Sequence, residues 1–83
     1  SQRNNSELFT QWALQCIRNE YHQIYPRLRE FLMVTGRRKF ILPLYEELMK
    51  SETGKKFARE VYAQARPNYH FVATNSLDPV LNG

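Results

Sequence analysis

The chain has 83 residues, the length of one domain, and its 42% hydrophobic and 24% charged residues are typical of a globular protein rather than a disordered or fibrous one. No run of residues approaches the ~20 consecutive apolar side chains that span a bilayer. The net charge of +4, from 12 basic and 8 acidic residues, permits an anionic partner but does not require nucleic acid.

Cysteine and histidine offer little to catalysis or metal binding. Cys16 is the single cysteine, so no disulfide can form within the chain, which suits a reducing compartment, and its place on an apolar stripe predicts a buried structural thiol. His22 and His70 lie far apart, with no HExxH or CxxC motif, so we expect no metal site and no catalytic centre.

The chain begins with Ser1 and shows no charged-then-apolar leader, so we expect a fragment or processed product of a longer protein, without a secretory signal. The expected location is the cytoplasm, with the nucleus as a second compartment. Because 83 residues is the length of one domain, residues 1–83 are expected to form a single domain.

Apolar residues recur at the spacing of an amphipathic helix four times, whereas no segment alternates with the period of a strand. The stripes are Leu8, Phe9, Trp12, Ala13, Cys16 and Ile17; Tyr21, Ile24, Tyr25, Leu28, Phe31 and Leu32; Phe40, Ile41, Leu44, Tyr45, Leu48 and Met49; and Phe57, Ala58, Val61, Tyr62 and Ala65. The predicted fold class is all-α.

Polar residues indicate where two of these helices begin. Asn5 or Ser6 can cap the first helix, and Ser51 or Thr53 can cap the fourth, because their side-chain oxygens can accept the unpaired first-turn amides.

Glycine and proline predict the other boundaries. Gly36 is expected to close the second helix in the left-handed conformation, and Pro67 to stop the fourth. Pro26 and Pro43 are expected near helix starts, where the missing amide has no intrahelical partner.

A faint internal repeat relates the first two predicted helices to the next two. Four apolar positions of the first stripe match four of the third at an offset of 32, and Trp12 corresponds to Leu44. Short connections predict antiparallel sequential helices, and two stacked hairpins of this size resemble solenoid units. Both Trp12 and Leu44 are expected to be buried, with Trp12→Ala costing about 3–5 kcal/mol. Two repeats are few for a free-standing solenoid, which indicates packing against a larger body.

The tail from Tyr69 to Gly83 is less regular. Its first apolar residues, Tyr69, Phe71 and Val72, are compatible with a strand or with a helix start. The segment 76–79 is typical of a turn, leading to a short apolar end at 80–81. We expect the tail to pack back on the hairpins with one or two further helical turns.

The segment Gly36-Arg37-Arg38-Lys39 places three cations between the second and third helices. Positive charge is favourable at the end of the second helix but opposes the dipole at the start of the third, where each cation costs ~0.3–1 kcal/mol. A helix start with free amides and a basic cluster can bind an anion. The alternative is a solvated turn whose charges stabilise the preceding helix end.

A second basic group, Lys55-Lys56 with Arg59, is interpreted as solvated surface, and the aromatic stripes as core.

Two motifs resemble one protein family. They are Asn5-Ser6-Glu7-Leu8 with Trp12 and Cys16-Ile17, and the block Gly36-Arg37-Arg38-Lys39-Phe40 followed by Pro43-Leu44-Tyr45 and Leu48. Together they resemble the C-terminal helical domain of the leukotriene A(4) hydrolase and aminopeptidase B family of zinc aminopeptidases. The resemblance runs from about Asn5 to His70, and the tail fits less well because Phe71 stands where the leukotriene hydrolase has proline.

The resemblance implies paired antiparallel helices in an armadillo-like right-handed superhelix that closes one side of the substrate cleft. It implies that Arg37 binds the substrate carboxylate and that Lys39 assists, whereas Arg38 falls at a variable position. It also implies that zinc is bound outside this chain, by an upstream catalytic domain that removes N-terminal residues from short peptides.

Two other function classes remain open at this stage. A stand-alone helical adaptor for protein–protein interaction predicts an exposed apolar groove and no need for Arg37. Nucleic-acid binding through the basic turn and Lys55-Lys56 predicts steep salt dependence, and the modest net charge argues against it.

Overall fold

The computed structural model describes residues 4–83, and within that range the regular structure is entirely helical, as predicted. The elements are α1 (Asn5–Arg18), a 3₁₀ turn (His22–Ile24), α2 (Tyr25–Val34), α3 (Arg38–Leu48), α4 (Glu52–Ala65), a second 3₁₀ turn (Arg66–Asn68) and α5 (Phe71–Asn82). The four predicted helices are confirmed, and the tail adds a fifth.

Asparagine and serine side chains cap α1 and α4. The Asn4 side chain accepts the Glu7 amide at 2.8 Å, so the cap of α1 is Asn4. The prediction of Asn5 or Ser6 as the cap is wrong by one or two residues, because both lie in the first turn. Ser51 caps α4 as predicted, with its Oγ accepting the Gly54 amide at 3.0 Å.

The prediction that Gly36 adopts a left-handed conformation is wrong. The chain leaves α2 through Thr35 in an extended conformation, and no glycine within residues 4–83 has a positive φ. The left-handed residue is instead Glu20, with φ 55°, which closes α1. Its amide donates to the Ile17 carbonyl at 3.0 Å and the Tyr21 amide donates to Cys16 at 2.8 Å, the hydrogen-bond pattern of a Schellman motif.

The prolines behave in two ways. Pro26 lies at the start of α2, and Pro67 follows the end of α4, both as predicted. The expectation for Pro43 is wrong because this residue lies inside α3. Pro79 likewise lies inside α5. Tertiary packing maintains both helices across the missing amides.

Helices that alternate in sequence pack side by side: α1 against α3, α3 against α5, and α2 against α4. Glu7 pairs with Lys39 near the two helix starts and Arg18 pairs with Glu47 near the two ends, so α1 and α3 run parallel. The rings of Tyr25 and Phe57 stack between α2 and α4. These two residues are 32 positions apart, as Glu7 and Lys39 are, which is the offset of the internal repeat.

The core is centred on α3, whose apolar face is fully buried at Ile41, Leu44, Tyr45 and Leu48. The prediction is therefore confirmed for Leu44, at 0% exposed, but it is wrong for Trp12, which is 44% exposed. The reason is position in the row, because α3 has α1 on one side and α5 on the other. Helix α1 has α3 on one side and no second neighbour in the row among residues 4–83.

The tail forms the complete helix α5, so the turn expected at residues 76–79 is wrong, whereas the expectation that the tail packs back on the hairpins is confirmed. Ala73, Leu77 and Leu81 recur every four residues and are buried. Pro79 obscured this spacing in the sequence, although the residues after it continue the helix.

A charged cluster fastens α5 to the end of α4. Arg66 donates from Nε and Nη2 to the two carboxylate oxygens of Asp78, at 2.9 and 2.7 Å, and the Tyr62 hydroxyl donates to the same carboxylate. These hydrogen bonds from Arg66 and Tyr62 lower the pKa of Asp78 to about 2. The cluster is a fork-to-fork ion pair reinforced by a phenol.

The two internal glycines predict opposite effects of alanine. A Cβ on Gly54 would lie 2.0 Å from the Leu48 carbonyl oxygen, whereas a Cβ on Gly36 meets nothing within 4 Å. We expect Gly54→Ala to destabilise the fold by roughly 1–3 kcal/mol, although alanine is the better helix former. Gly36→Ala should stabilise it by about 0.4–1 kcal/mol. Urea unfolding measures both, and a stable Gly54→Ala protein would contradict the close helix contact.

The Asp78 cluster predicts a specific acid sensitivity. Because the pKa of Asp78 is depressed in the fold, its contribution to stability is complete above pH ~4, the unfolded value, and is lost as the pH falls through about 2. Asp78→Asn should lower stability at pH 7 and flatten the pH dependence between about 4 and 2, and Tyr62→Phe should do so in part. Chemical unfolding at several pH values is the measurement, and an unchanged slope in Asp78→Asn would contradict the prediction.

Candidate anion-binding site

The basic turn is the junction between α2 and α3, residues 35–39. Arg37 is the residue before α3, and its carbonyl accepts the amides of Phe40 and Ile41 at 3.0 and 3.1 Å. The first-turn amides of Arg38 and Lys39 precede the intrahelical ladder, and the first turn contains no acidic residue. The positive end of the helix dipole therefore coincides with three cationic side chains.

These three side chains have different partners. Arg38 donates from Nη1 to Ser76 Oγ on α5 at 3.1 Å, and Lys39 Nζ lies 3.6 Å from a Glu7 carboxylate oxygen on α1. Arg37 has no hydrogen bond or ion pair from its side chain within residues 4–83. Among the three cations of the turn, Arg37 is therefore the one whose guanidinium is available to an external anion.

An aromatic ring supports two of the three cations. The Arg37 guanidinium carbon lies 5.3 Å from the centre of the Phe40 ring, and Lys39 Nζ lies 5.7 Å from the same centre. Phe40 is itself only 4% exposed, so its ring is a fixed platform. The two predicted site residues, Arg37 and Lys39, therefore both lie against the Phe40 ring, whereas Arg38 contacts Ser76.

Two buried tyrosines connect the helices next to the basic turn. The Tyr69 hydroxyl donates to the Leu32 carbonyl at 2.6 Å and lies 3.0 Å from the Tyr45 hydroxyl. Burial raises the pKa of both phenols, so both stay protonated at neutral pH. The start of α5 is thereby tied to the end of α2, next to the basic turn.

Sequence reasoning missed Tyr69, Tyr45 and Ser76 as supports of the site. Their partners are 24 to 38 residues away along the chain, and no local spacing reports such contacts.

A groove opens beside the turn, between the start of α1 and the second half of α2. It encloses about 860 Å³, and its apolar lining comes from Phe9, Phe31, Met33 and Val34. The rings of Phe9 and Phe31, both in its lining, contact each other at a centroid distance of 4.6 Å and a tilt of 34°. A groove of this kind can accept apolar side chains.

The second basic group has intramolecular partners. Lys55 lies 3.8 Å from Glu52, and Arg59 donates to the Leu81 carbonyl at 3.2 Å. Arg59 therefore helps to fasten α5, and only Lys56 of this group lacks an ion pair or hydrogen bond from its side chain in the described part of the chain.

The remaining candidate residues are structural in this fold. Cys16 is buried, as predicted. His22 lies against the Tyr25 ring, and His70 caps α5 by accepting the Val72 amide at 3.1 Å through Nδ1. No three His, Cys, Asp or Glu side chains within residues 4–83 come together as metal ligands.

The chain is similar to known proteins over nearly its whole length. The family model described as leukotriene A4 hydrolase, C-terminal, matches residues 1–81. Aminopeptidase B of Mus musculus is 28% identical over 82 residues, which is 98% of this chain and 13% of the relative. Aminopeptidase RNPEPL1 of Homo sapiens is 31% identical over 78 residues, 94% of this chain and 11% of the relative. No solved structure matches the chain significantly.

The chain therefore belongs to the leukotriene A4 hydrolase C-terminal family, and its relatives are aminopeptidases. It spans between a tenth and a seventh of the length of those relatives. None of the helices described here has the length and apolar character needed to cross a membrane.

The absence of clustered metal-ligating side chains within residues 4–83 leads to a prediction for the 83-residue chain by itself. We expect a helical circular dichroism spectrum with cooperative melting, no tight zinc in equilibrium dialysis, and no turnover of aminoacyl substrates. A stoichiometric zinc site or aminopeptidase activity in the purified chain would contradict this expectation.

Proposed function

We propose that residues 1–83 are a single C-terminal domain of a zinc aminopeptidase, in which the domain closes one side of the substrate cleft and binds the carboxyl end of the peptide. Arg37 is the principal carboxylate ligand and Lys39 assists. The upstream catalytic domain is the intramolecular partner, binds the zinc, and removes N-terminal residues from short peptides. The observation that carries the proposal is the Arg37 guanidinium at the start of α3, which has no hydrogen bond or ion pair within residues 4–83, in a chain whose relatives are aminopeptidases.

The chemistry of the two cations supports this division of roles. An arginine fork matches a carboxylate with two parallel hydrogen bonds, whereas lysine acts as a point charge. Lys39 already lies near Glu7, which neutralises part of its charge, so its contribution is the smaller one. Holding the far end of a short peptide sets which bond lies at the catalytic centre, because the distance between the two sites is fixed.

The proposed scaffold is an armadillo-like right-handed superhelix of antiparallel hairpins. The two rows of helices, with α1, α3 and α5 in one and α2 and α4 in the other, support it. A carboxylate site at the start of α3 then lies on the central and best-packed helix of the domain.

The finer assignment rests on resemblance. The segment 27–32 resembles the aminopeptidase B-like branch, and the member we propose is aminopeptidase O, although the relatives named above are aminopeptidase B and RNPEPL1. A preference for a basic N-terminal residue follows if the parent is on the aminopeptidase B side. The proposed location is the cytoplasm, with the nucleus as a second compartment.

One specific observation favours a second function, a helical adaptor for protein–protein interaction. The groove lined by Phe9, Phe31, Met33 and Val34 is the exposed apolar surface that an adaptor requires. Nucleic-acid binding has less support, because Lys55 and Arg59 have partners within the fold.

The proposal predicts the effect of Arg37→Ala on the full-length enzyme. Cleavage of tripeptides with a free carboxyl end should lose on the order of 2–4 kcal/mol of transition-state stabilisation, roughly 30- to 900-fold in kcat/KM, because a charged partner is removed. Tripeptide amides should be poor substrates for the wild type and nearly indifferent to the substitution. Lys39→Ala should show a smaller loss. Steady-state kinetics on matched acids and amides is the measurement.

Arg38→Ala is the matched control, since it removes an equal charge from the same turn but from a side chain directed to Ser76. It should leave the acid-to-amide ratio of kcat/KM near the wild-type value. Equal losses on acids and amides in Arg37→Ala would mean that Arg37 supports the cleft in general, and the carboxylate role would be abandoned. An adaptor would show partner binding that depends on the groove and not on Arg37.

A further inference from the structure

We propose that Phe40 is a positioning residue of the carboxylate site, and that its ring holds the Arg37 guanidinium in the place where the carboxyl end of a peptide binds. This role rests on the proposed function, because Phe40 acts on the substrate only through Arg37.

The Phe40 ring restrains the one cation of the basic turn that has no polar partner in the described residues. The Arg37 guanidinium carbon lies 5.3 Å from the ring centre, and the guanidinium has no hydrogen bond or ion pair within residues 4–83. Arg38, by contrast, is held by its hydrogen bond to Ser76. An arginine side chain has many rotamers, so contact with a buried ring limits the positions that the Arg37 fork can sample.

An aromatic ring can hold a guanidinium without using its hydrogen-bond donors. A neighbouring carboxylate would also attract Arg37, but it would accept the same N–H groups that a substrate carboxylate needs. The face of a ring attracts the cation electrostatically, so the donors stay free for two parallel hydrogen bonds to a carboxylate. Lys39 shows the other case, because its Nζ lies 5.7 Å from the same ring centre and also 3.6 Å from a Glu7 carboxylate oxygen.

The burial of Phe40 is separate from that of the hydrophobic core. Phe40 is 4% exposed, yet it is not a member of the cluster that the buried apolar residues within residues 4–83 form with one another, whereas Ile41 and Leu44 are. Its ring lies at the start of α3 against Arg37 and Lys39. A leucine at this position should therefore preserve the fold and remove the aromatic face on which Arg37 rests.

Phe40→Leu in the full-length enzyme tests this role. We expect kcat/KM for tripeptides with a free carboxyl end to fall about two- to tenfold, mainly through a higher KM, because the lost contact restrains a binding group rather than a reacting one. Tripeptide amides should be nearly unaffected. Phe40→Tyr keeps an aromatic face and should restore the wild-type acid-to-amide ratio of kcat/KM.

Two further variants make the test specific. Phe57→Leu is the matched control, since it removes a ring that stacks on Tyr25, between α2 and α4, and it should leave the acid-to-amide ratio at the wild-type value. Phe40→Met, a second apolar side chain without a ring, should repeat the effect of Phe40→Leu. Thermal melting of each variant separates a loss of fold from a loss of positioning.

Several results would overturn the role of Phe40. These are equal losses on acids and amides in both Phe40→Leu and Phe40→Met, an unchanged acid-to-amide ratio, or a ratio that Phe40→Tyr fails to restore. In the Arg37→Ala background, Phe40→Leu should have no further effect on the ratio, because the group that it positions is gone. An additional loss of the ratio there would also contradict the role.

The same kinetics separate this inference from the function on which it rests. An acid-specific loss in Arg37→Ala without one in Phe40→Leu means that the carboxylate role stands and only the positioning role fails. Equal losses on acids and amides in Arg37→Ala mean that the carboxylate role fails, and the role of Phe40 fails with it.

Discussion

The structure depends on the burial of one helix. The apolar face of α3 is fully buried at Ile41, Leu44, Tyr45 and Leu48, and α1, α4 and α5 all pack against it. A domain of 83 residues has a thin core, so a helix covered from several sides contributes much of the apolar burial available. The burial of α3 also sets the positions of the other helices, because each packs its apolar side against α3 or against a helix that contacts α3.

This arrangement also explains why a basic turn is tolerated at the start of α3. Three cations at the positive end of a helix dipole oppose helix formation, but tertiary packing outweighs that cost. Two of them find compensation, Arg38 with Ser76 and Lys39 with Glu7, and the ring of Phe40 supports Arg37. The Arg37 guanidinium, which has no hydrogen bond or ion pair within residues 4–83, lies at the start of the deeply buried helix α3, as suits the binding role proposed for it.

The two outer helices of the row, α5 and α1, differ in how they are packed and fastened. At one end, α5 is fastened by the Arg66–Asp78 ion pair, by Tyr69 on the Leu32 carbonyl and by Arg59 on Leu81. At the other end, α1 leaves Leu8 and Trp12 half-exposed. The domain thus has one end closed by polar contacts and one end that is still apolar, and this asymmetry distinguishes it from a self-contained helical bundle.

Local features were readable from the sequence because their causes are local. The spacing of apolar residues follows from the 3.6-residue turn, so all four stripes predicted helices, and the Ser51 cap, the burial of Cys16 and the end of α4 before Pro67 followed from nearest neighbours. The basic turn and its Phe40 neighbour were also visible as a motif.

Tertiary structure decided the features whose causes lie elsewhere in the chain. Trp12 and Leu44 occupy the same repeat position, and only the number of neighbouring helices makes one half-exposed and the other buried. Pro43 and Pro79 lie inside helices because packing outweighs the lost hydrogen bond. Arg37 is the cation of the turn without an ion pair or hydrogen bond in the described residues because Glu7 and Ser76, which approach from α1 and α5, contact Lys39 and Arg38 instead. A local pattern specifies which residues form a helix, whereas burial and pairing are properties of distances between helices, which no single segment contains.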